Sequence, residues 1–368
     1  MRRSLPILLA LALSFGAAST LAQGKFSGYM FGDYFYNVAR DTSFRHTNLP
    51  NSAVNGQKDF QGFQLRRIYF AYDNDISEKF TSRFRLEADQ VSNTSDGKFG
   101  VAVKDAYLQW KNVFAGSNLI FGLSPTPAFD ISESAWGYRS LEKTIMDLRG
   151  IVGSRDLGVA LRGKLDAEGV FNYWLMIGNN AGQKPETDKY KRFYLNIQVK
   201  PVKNFQFTLY GDYAAAADVN DPTSTANPKA TLSNATLTWA GFANYKVPDM
   251  FNVGVEAFLR SKSNGMVDPS ATNGALTSLN SIGFTVFGSL NFSPDLAAVV
   301  RYDMFDPNSN SNVKGDARNY FIVGLDCKPD KNVSIIPNVQ IETYQSIPNG
   351  PSIDASVTGR VTFYYIFL

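Results

Sequence analysis

A single cysteine, Cys327, and a single histidine, His46, among 368 residues remove several chemistries at once. One thiol leaves no internal disulfide framework and no thiolate metal cluster, and one imidazole leaves little for a histidine metal site or relay. His46 stands in Phe44-Arg45-His46-Thr47-Asn48, a stretch without regular apolar period, and reads as a solvated loop residue rather than a catalytic one. No cofactor or metal is expected. An excess of one charge is missing too: 36 Lys and Arg face 33 Asp and Glu, with no basic tract, which speaks against nucleic acid as a partner. Beyond the first residues no apolar run approaches the roughly 18 residues of a membrane helix. Yet aromatics make up 14% of the chain, and its mean hydropathy is only slightly negative at -0.18.

The start is different. Arg2 and Arg3 precede an apolar run from Leu5 to Leu13, and small residues follow through Ala17, Ala18 and Ala22. That layout reads as a secretory signal peptide over 1–22, with cleavage after Ala22 and an exported domain over 23–368. A membrane-anchor helix is the alternative, but the run is short and no stop-transfer pattern follows. Cleavage removes two of the 36 basic residues, so the pI of 8.7 rests partly on the leader.

What the rest contains is period two. In Phe80 to Asp89, one face carries Phe80, Ser82, Phe84, Leu86 and Ala88, the other Thr81, Arg83, Arg85, Glu87 and Asp89. A helix would scatter these charges all round; a strand separates them into two faces. Phe193, Leu195, Ile197 and Val199 alternate with polar residues in the same way, as do Ile282, Phe284 and Val286, and Val333, Ile335, Val339 and Ile341. Sixteen such segments are expected, near 25–38, 62–72, 80–90, 101–110, 118–124, 156–165, 169–178, 191–199, 204–213, 235–246, 251–260, 280–292, 295–305, 319–328, 332–343 and 355–367.

The connections between them alternate in length. Short ones fall near 73–79, 111–117, 166–168, 200–204, 247–250, 293–294 and 329–331. Long ones, rich in Asn, Ser, Asp, Pro and Gly, fall near 39–61, 91–100, 125–155, 179–190, 214–234, 261–279, 306–318 and 344–354. Short turns on one side and long loops on the other are the pattern of an outer-membrane β-barrel, with the short side periplasmic. A soluble β-sandwich has no reason to alternate so. In hydrocarbon an unpaired strand edge leaves backbone groups without partners, so the sheet must close. About sixteen strands then enclose a lumen too wide for side chains to fill, which is a channel. The fold class is therefore all-β, a transmembrane antiparallel barrel of about 16 strands in the outer membrane of a Gram-negative-type bacterium.

Several short motifs, in order, resemble the phosphate-selective porins of the O and P type. They are Leu65-Arg66-Arg67-Ile68-Tyr69-Phe70 leading into Phe80 to Asp89, then Asp105-Ala106-Tyr107-Leu108, then Phe121-Gly122-Leu123 with Pro125. Arg155-Asp156-Leu157-Gly158-Val159 and Val170-Phe171-Asn172-Tyr173 complete a match over roughly residues 60 to 180. The resemblance implies sixteen strands, a homotrimer, a third loop (125–155) folded into the lumen, and anion-preferring diffusion. On that loop the family's lysine cluster is replaced by Arg139, Lys143, Arg149 and Arg155 among Asp130, Glu133, Glu142 and Asp147. Phe129, Trp136 and Tyr138 are expected to pack it against the wall. The last strand, ending Phe363-Tyr364-Tyr365-Ile366-Phe367-Leu368, resembles the one read by barrel-assembly machinery, and its lipid face is read as Phe363, Tyr365 and Phe367.

Strand parity points Arg67, Arg83, Arg85, Arg162, Lys164, Arg192, Arg260, Arg301 and Arg360 into the pore. It also points Glu87, Asp89, Asp105, Asp156, Asp212, Glu256, Asp303, Asp326 and Glu342 there. Closure makes the last strand and the first three one wall, which would gather Arg67, Arg83, Arg85 and Arg360 into a basic arc. Two readings stay open: the arc sets ion preference, or cross-strand Arg–Asp pairs merely satisfy the wall. Trp110, Trp174 and Trp239 are expected in interfacial girdles. The function expected is passive diffusion of small hydrophilic solutes, with anions preferred and outer-membrane lipid around the barrel. A structural or receptor barrel is the alternative; an outer-membrane hydrolase, which would need a Ser/His/acid set, has only His46 to draw on.

Overall fold

A computed structural model describes residues 24–41, 57–227 and 229–368. The leader over 1–22 and His46 lie outside the described residues. Sixteen strands close into one antiparallel barrel: β1 (Lys25–Ala39), β2 (Gln61–Asp75), β3 (Phe80–Asn93), β4 (Phe99–Phe114), β5 (Ser117–Pro125), β6 (Arg155–Lys164), β7 (Phe171–Gly178) and β8 (Arg192–Val202), then β9 (Phe205–Ala214), β12 (Thr236–Val247), β13 (Phe251–Val267), β14 (Leu276–Ser293), β15 (Leu296–Asp306), β16 (Arg318–Asp330), β17 (Val333–Tyr344) and β18 (Ser356–Ile366). Each pairs with its chain neighbour, and β18 returns to β1. All sixteen expected segments are present. Two further pieces, β10 (Val219–Asn220) and β11 (Thr231–Leu232), form a small ladder of their own within the connection from β9 to β12.

The two faces of the sheet differ as hydrocarbon and water require. Outside stand Val101, Leu108, Phe121, Leu175, Leu195, Trp239, Leu259, Val323 and Val361, all exposed. An apolar belt of this extent has no place on a soluble monomer. Inside stand Asp33, Thr208, Asp212, Thr285, Asp303, Gln340 and Thr362, all buried. The last strand settles its own parity: Phe363 and Phe367 lie on the outer face, over the glycines of β1, while Tyr364 lines the lumen beside Tyr29.

Three expectations need correction. Trp174 is not a girdle residue: it points inward, 7% exposed, with the Arg162 guanidinium 5.2 Å from its ring. Trp110 and Trp239 do lie on the outer face. The long connection expected over 261–279 is mostly strand, because β13 and β14 run on as a ladder through Met266↔Thr277 and Val267↔Leu276. Above the membrane both faces of a hairpin meet water, so its polar residues lose the alternation that marked the rest. Finally, Arg155 is not a loop residue but the first of β6, paired with Pro125, the last of β5.

Backbone irregularities decide what the wall presents. Between β1 and β2 the register runs Phe31↔Arg67 and then Gly32↔Leu65, so Arg66 is an extra residue. Between β3 and β4 it runs Arg85↔Asp105 and then Leu86↔Val103, so Lys104 is extra. Such a bulge puts two residues opposite one and re-aims a side chain. Arg66 and Arg67 are therefore both buried, and so are Lys104 and Asp105.

Gly122 on β5 holds another special position. Its φ is +128°, and a Cβ built on it would overlap the Ala106 carbonyl oxygen and crowd Tyr107 on β4. We expect Gly122→Ala to cost about 1–3 kcal/mol from backbone strain. A denaturant series on detergent-folded protein checks this, and an unmoved unfolding midpoint would refute it.

Candidate constriction site

The segment joining β5 to β6 enters the barrel instead of covering it. Its first helix, Asp130–Trp136, ends at Gly137 in the left-handed region, where the Gly137 N–H reaches the Glu133 carbonyl. A second short helix, Ile145–Leu148, follows. Trp136, Leu141, Ile145 and Met146 are each at most 1% exposed. Trp136 meets Phe287 edge-on at 5.2 Å and belongs to one apolar cluster with Leu141, Phe242, Val299, Ile322 and Ile336. Phe129, Ile145 and Met146 join a second cluster with Ile120, Met176, Phe258 and Phe305. An inward apolar patch on an otherwise polar wall has this loop as its cover.

Polar clamps fix the loop at named points. Arg66 donates to the carbonyls of Ser140 (2.9 Å) and Leu141 (2.6 Å) and pairs with Glu142 at 3.3 Å. Arg301 donates to the Lys143 carbonyl, and Gln340 to that of Leu141. Arg149 pairs with Glu342 at 2.8 Å. Asn252 donates to the Ala135 carbonyl at 2.7 Å, Asn196 to that of Pro127 at 2.9 Å, and Ser132 to Glu256 at 3.1 Å. Trp136 Nε1–H donates to the Glu142 carbonyl, tying the loop to itself. Clamps from β2, β8, β13, β15 and β17 hold one strip of chain across the lumen.

Between the loop and the wall of β2 to β6 the side chains are charged. Besides Arg66, inward cations on these strands include Arg67, Arg83, Arg85, Lys104, Arg155 and Arg162, and inward carboxylates include Asp73, Glu87, Asp89, Asp105 and Asp156. Arg67 is spoken for by Glu87 (2.5 Å) and Asp89 (2.7 Å). Lys104 takes the other oxygen of Glu87 at 2.8 Å. Arg85 and Arg155 share Asp105, and Arg83 lies on Asp73. Arg85 also stacks on Tyr69, its guanidinium carbon 4.3 Å from the ring centroid, and donates to the Tyr29 hydroxyl at 3.0 Å. Arg162 hydrogen-bonds Gln109 at 3.2 Å. Facing them, the loop offers Asp130 in the field of Arg155, Arg162 and Arg85, and Asp147 in that of Lys104.

The expected arc is thus present as placement but not as free charge. Arg67 and Arg360 are buried, and Arg360 pairs with Asp33 at 3.4 Å. Arg301 is bound to Asp303 at 2.5 Å on the far wall. Water reaches Arg83, 32% exposed, and Arg85, 17% exposed. On the loop, Arg139 pairs with Glu133 (3.2 Å), Lys143 with Asp147 (3.7 Å) and Arg149 with the wall. Arg66, Lys104 and Asp33 were missed, the first two because strict alternation fails at a bulge. Two adjacent basic residues within a strand, Arg66-Arg67, are the one sequence signal that could have found the first.

No family model and no curated protein matches the sequence. Solved structures do match. The outer membrane channel DcaP of Acinetobacter baumannii superposes at a TM-score of 0.64 with 13% identity, over 95% of this chain and 99% of that one. OprB of Pseudomonas putida gives 0.66 at 10% identity, over 94% of each. An anion-selective porin from Comamonas acidovorans gives 0.60 at 10% identity, over 94% of this chain and 100% of that one. At such identity the likeness is one of fold: a sixteen-strand outer-membrane barrel.

Proposed function

We propose that this chain is a porin through which small hydrophilic solutes diffuse passively, with a mild preference for anions and no covalent chemistry. One observation carries the reading. A loop packed on its apolar side against the wall turns a charged side toward β2 to β6, where water-reachable arginines line the remaining gap. Charges at such a gap sort ions by field and leave them free to pass. Cations outnumber carboxylates on that wall, which supports a weak anion preference; pairing of nearly all of them argues against tight capture of phosphate. In the same reading the short-turn end is periplasmic, residues 1–22 are the export signal, the last strand is read by the assembly machinery, and the barrel works as a homotrimer in lipid.

Purified, detergent-folded protein is expected to form open channels in planar bilayers and to migrate as a heat-modifiable barrel. A folded sample without conductance would overturn the pore and favour a structural or receptor barrel. Lipid hydrolysis that His46→Ala abolishes would overturn the non-enzymatic reading.

A further inference from the structure

Beneath the loop, on the short-turn side, lies a recess of about 840 Å³. One side is formed by Tyr29 of β1 and Tyr364 of β18, the other by Glu133, Ser134 and Arg139 of the loop. We propose that this recess binds a neutral polyhydroxylated ring, that is, a sugar unit, as solutes cross. The inference rests on the pore reading and names a solute class for it.

Three observations carry it. The first is an aromatic shelf. The rings of Tyr29 and Tyr364 are 5.7 Å apart and tilted by 47°, and both are partly open to the recess. The far side of Tyr29 is backed by Tyr69 at 4.9 Å, and Arg85 holds its hydroxyl. Tyr29, half of the shelf, is therefore fixed before any solute arrives, which lowers the ordering cost of binding. Phe31, the neighbouring aromatic, is 1% exposed and lies beneath the guanidinium of Arg139, so it serves as a floor and not as a contact face.

The second is the supply of polar groups around that shelf. Among the described residues no partner holds the Tyr364 or the Ser134 hydroxyl, and Ser134 is exposed. Glu133 keeps a third of its side chain open and accepts, while Arg139 donates. Both kinds of hydrogen-bonding partner thus border one apolar face. A sugar ring has the matching construction: C–H groups on its face and hydroxyls, each donor and acceptor, around its edge. A purely aromatic solute would leave the polar rim unpaired.

The third is charge. Asp130, Glu133, Asp249 and Asp326 of the lining are offset by Arg139, Lys246, Lys328 and Lys331. The recess has no net sign with which to select an ion, in contrast to the wall of β2 to β6. Neutral solutes are what a balanced recess with a stacking face holds. The hold must also be weak, because a solute bound tightly would not leave a channel.

The test uses full-length folded protein in planar bilayers, with maltotriose as probe and sorbitol as its ring-free control. Maltotriose should produce brief interruptions of the ionic current and sorbitol none. The double variant Tyr29→Leu/Tyr364→Leu should shorten these interruptions by tenfold or more, while Tyr29→Phe/Tyr364→Phe, which keeps the rings, should retain most of them. Heat-modifiable migration confirms that each variant is folded. Equal interruptions in wild type and the leucine variant, interruptions by sorbitol, or none with maltotriose in conducting channels would each overturn the sugar station and leave the pore standing. Calorimetric titration of maltotriose into detergent-folded protein reads the same site without conduction. Heat of binding lost in the leucine variant supports the station even if no channel conducts; no binding heat in wild type overturns it.

Discussion

Replacing Arg66 by Ala is expected to loosen the constriction and raise single-channel conductance, with the barrel still closed. Arg66 is 2% exposed and serves the loop through two carbonyl oxygens and the Glu142 carboxylate. Glu142 is itself fully buried. Removing one member of a buried ion pair strands the other, at a cost of about 3–5 kcal/mol. Arg66 also lies 3.8 Å from Asp33 of β1, but no backbone bond of the strand ladder depends on its side chain. The strain falls on residues 139–143, which should leave the β2 wall while Arg301 and Gln340 still hold the opposite side. Current noise should rise with conductance as the half-freed loop fluctuates. Arg66→Lys is expected to rescue only in part, because an ammonium lacks the planar fork that reaches two carbonyls and a carboxylate together. Replacing both partners, Arg66→Met with Glu142→Leu, should restore stability better than it restores conductance. If Arg66→Ala leaves both conductance and noise at wild-type values, the loop is held by its apolar contacts alone.

The second large effect concerns selectivity, and here exposure predicts which arginines matter. Replacing Arg83, Arg85 and Arg162 by Gln should lower the anion-to-cation permeability ratio clearly at low salt. Replacing Arg301 and Arg360 by Gln should leave that ratio nearly unmoved and lower stability instead. These two are 4% and 5% exposed and face buried carboxylates, so their loss frees a negative charge that is buried within the wall and shielded from water. The opposite sign is available as well. Glu87 joins Arg67 and Lys104, and Glu87→Gln should release positive potential into the lumen and raise anion preference. Two unit charges at 4 Å interact by roughly 1 kcal/mol in bulk water and about 4 kcal/mol at an effective dielectric of 20. A narrowed aqueous gap lies between, enough for a few charges to bias entry. The bias should fade as salt rises, since screening acts over about 10 Å at 0.1 M. Reversal potentials in a salt gradient read all three variants. A triple Arg83/Arg85/Arg162 variant with the wild-type ratio would mean that the ion path runs elsewhere.

How far the sequence foretold this can be argued from single residues. Phe80 to Asp89 showed its two faces at once, because a wall between hydrocarbon and water enforces alternation at every step. The same logic failed where its premise failed. At Arg66 and Lys104 one added residue shifts parity; the adjacent pair Arg66-Arg67 hints at the first, and no second cation beside Lys104 marks the other. Trp174 was misplaced because an aromatic near a strand end suits an interface, whereas here it supports Arg162 from within. That the connection over 125–155 enters the lumen was inferred from its length and aromatics together with a resemblance. Which wall residues grip it was not legible: Arg66 and Ser140 are 74 positions apart, Gln340 and Leu141 199 apart, and no local pattern encodes such meetings.

The seam between β1 and β18 has a consequence for how the molecule can be made. Gly28 accepts from the Phe367 N–H at 3.0 Å, and its own N–H reaches the Leu368 carbonyl at 3.4 Å. On the outer face the rings of Phe367 and Phe363 cover Gly28 and Gly32, where any side chain would collide with them. The first strand of the barrel is thus completed by the last. Until β18 is in place, β1 has one bare edge, and its glycines lack the rings that cover them. The wall cannot close strand by strand from β1 onward; both of its edges stay unpaired until β18 arrives. Loss of β18 would leave fifteen strands paired in order, with β1 and β17 deprived of the partner they share.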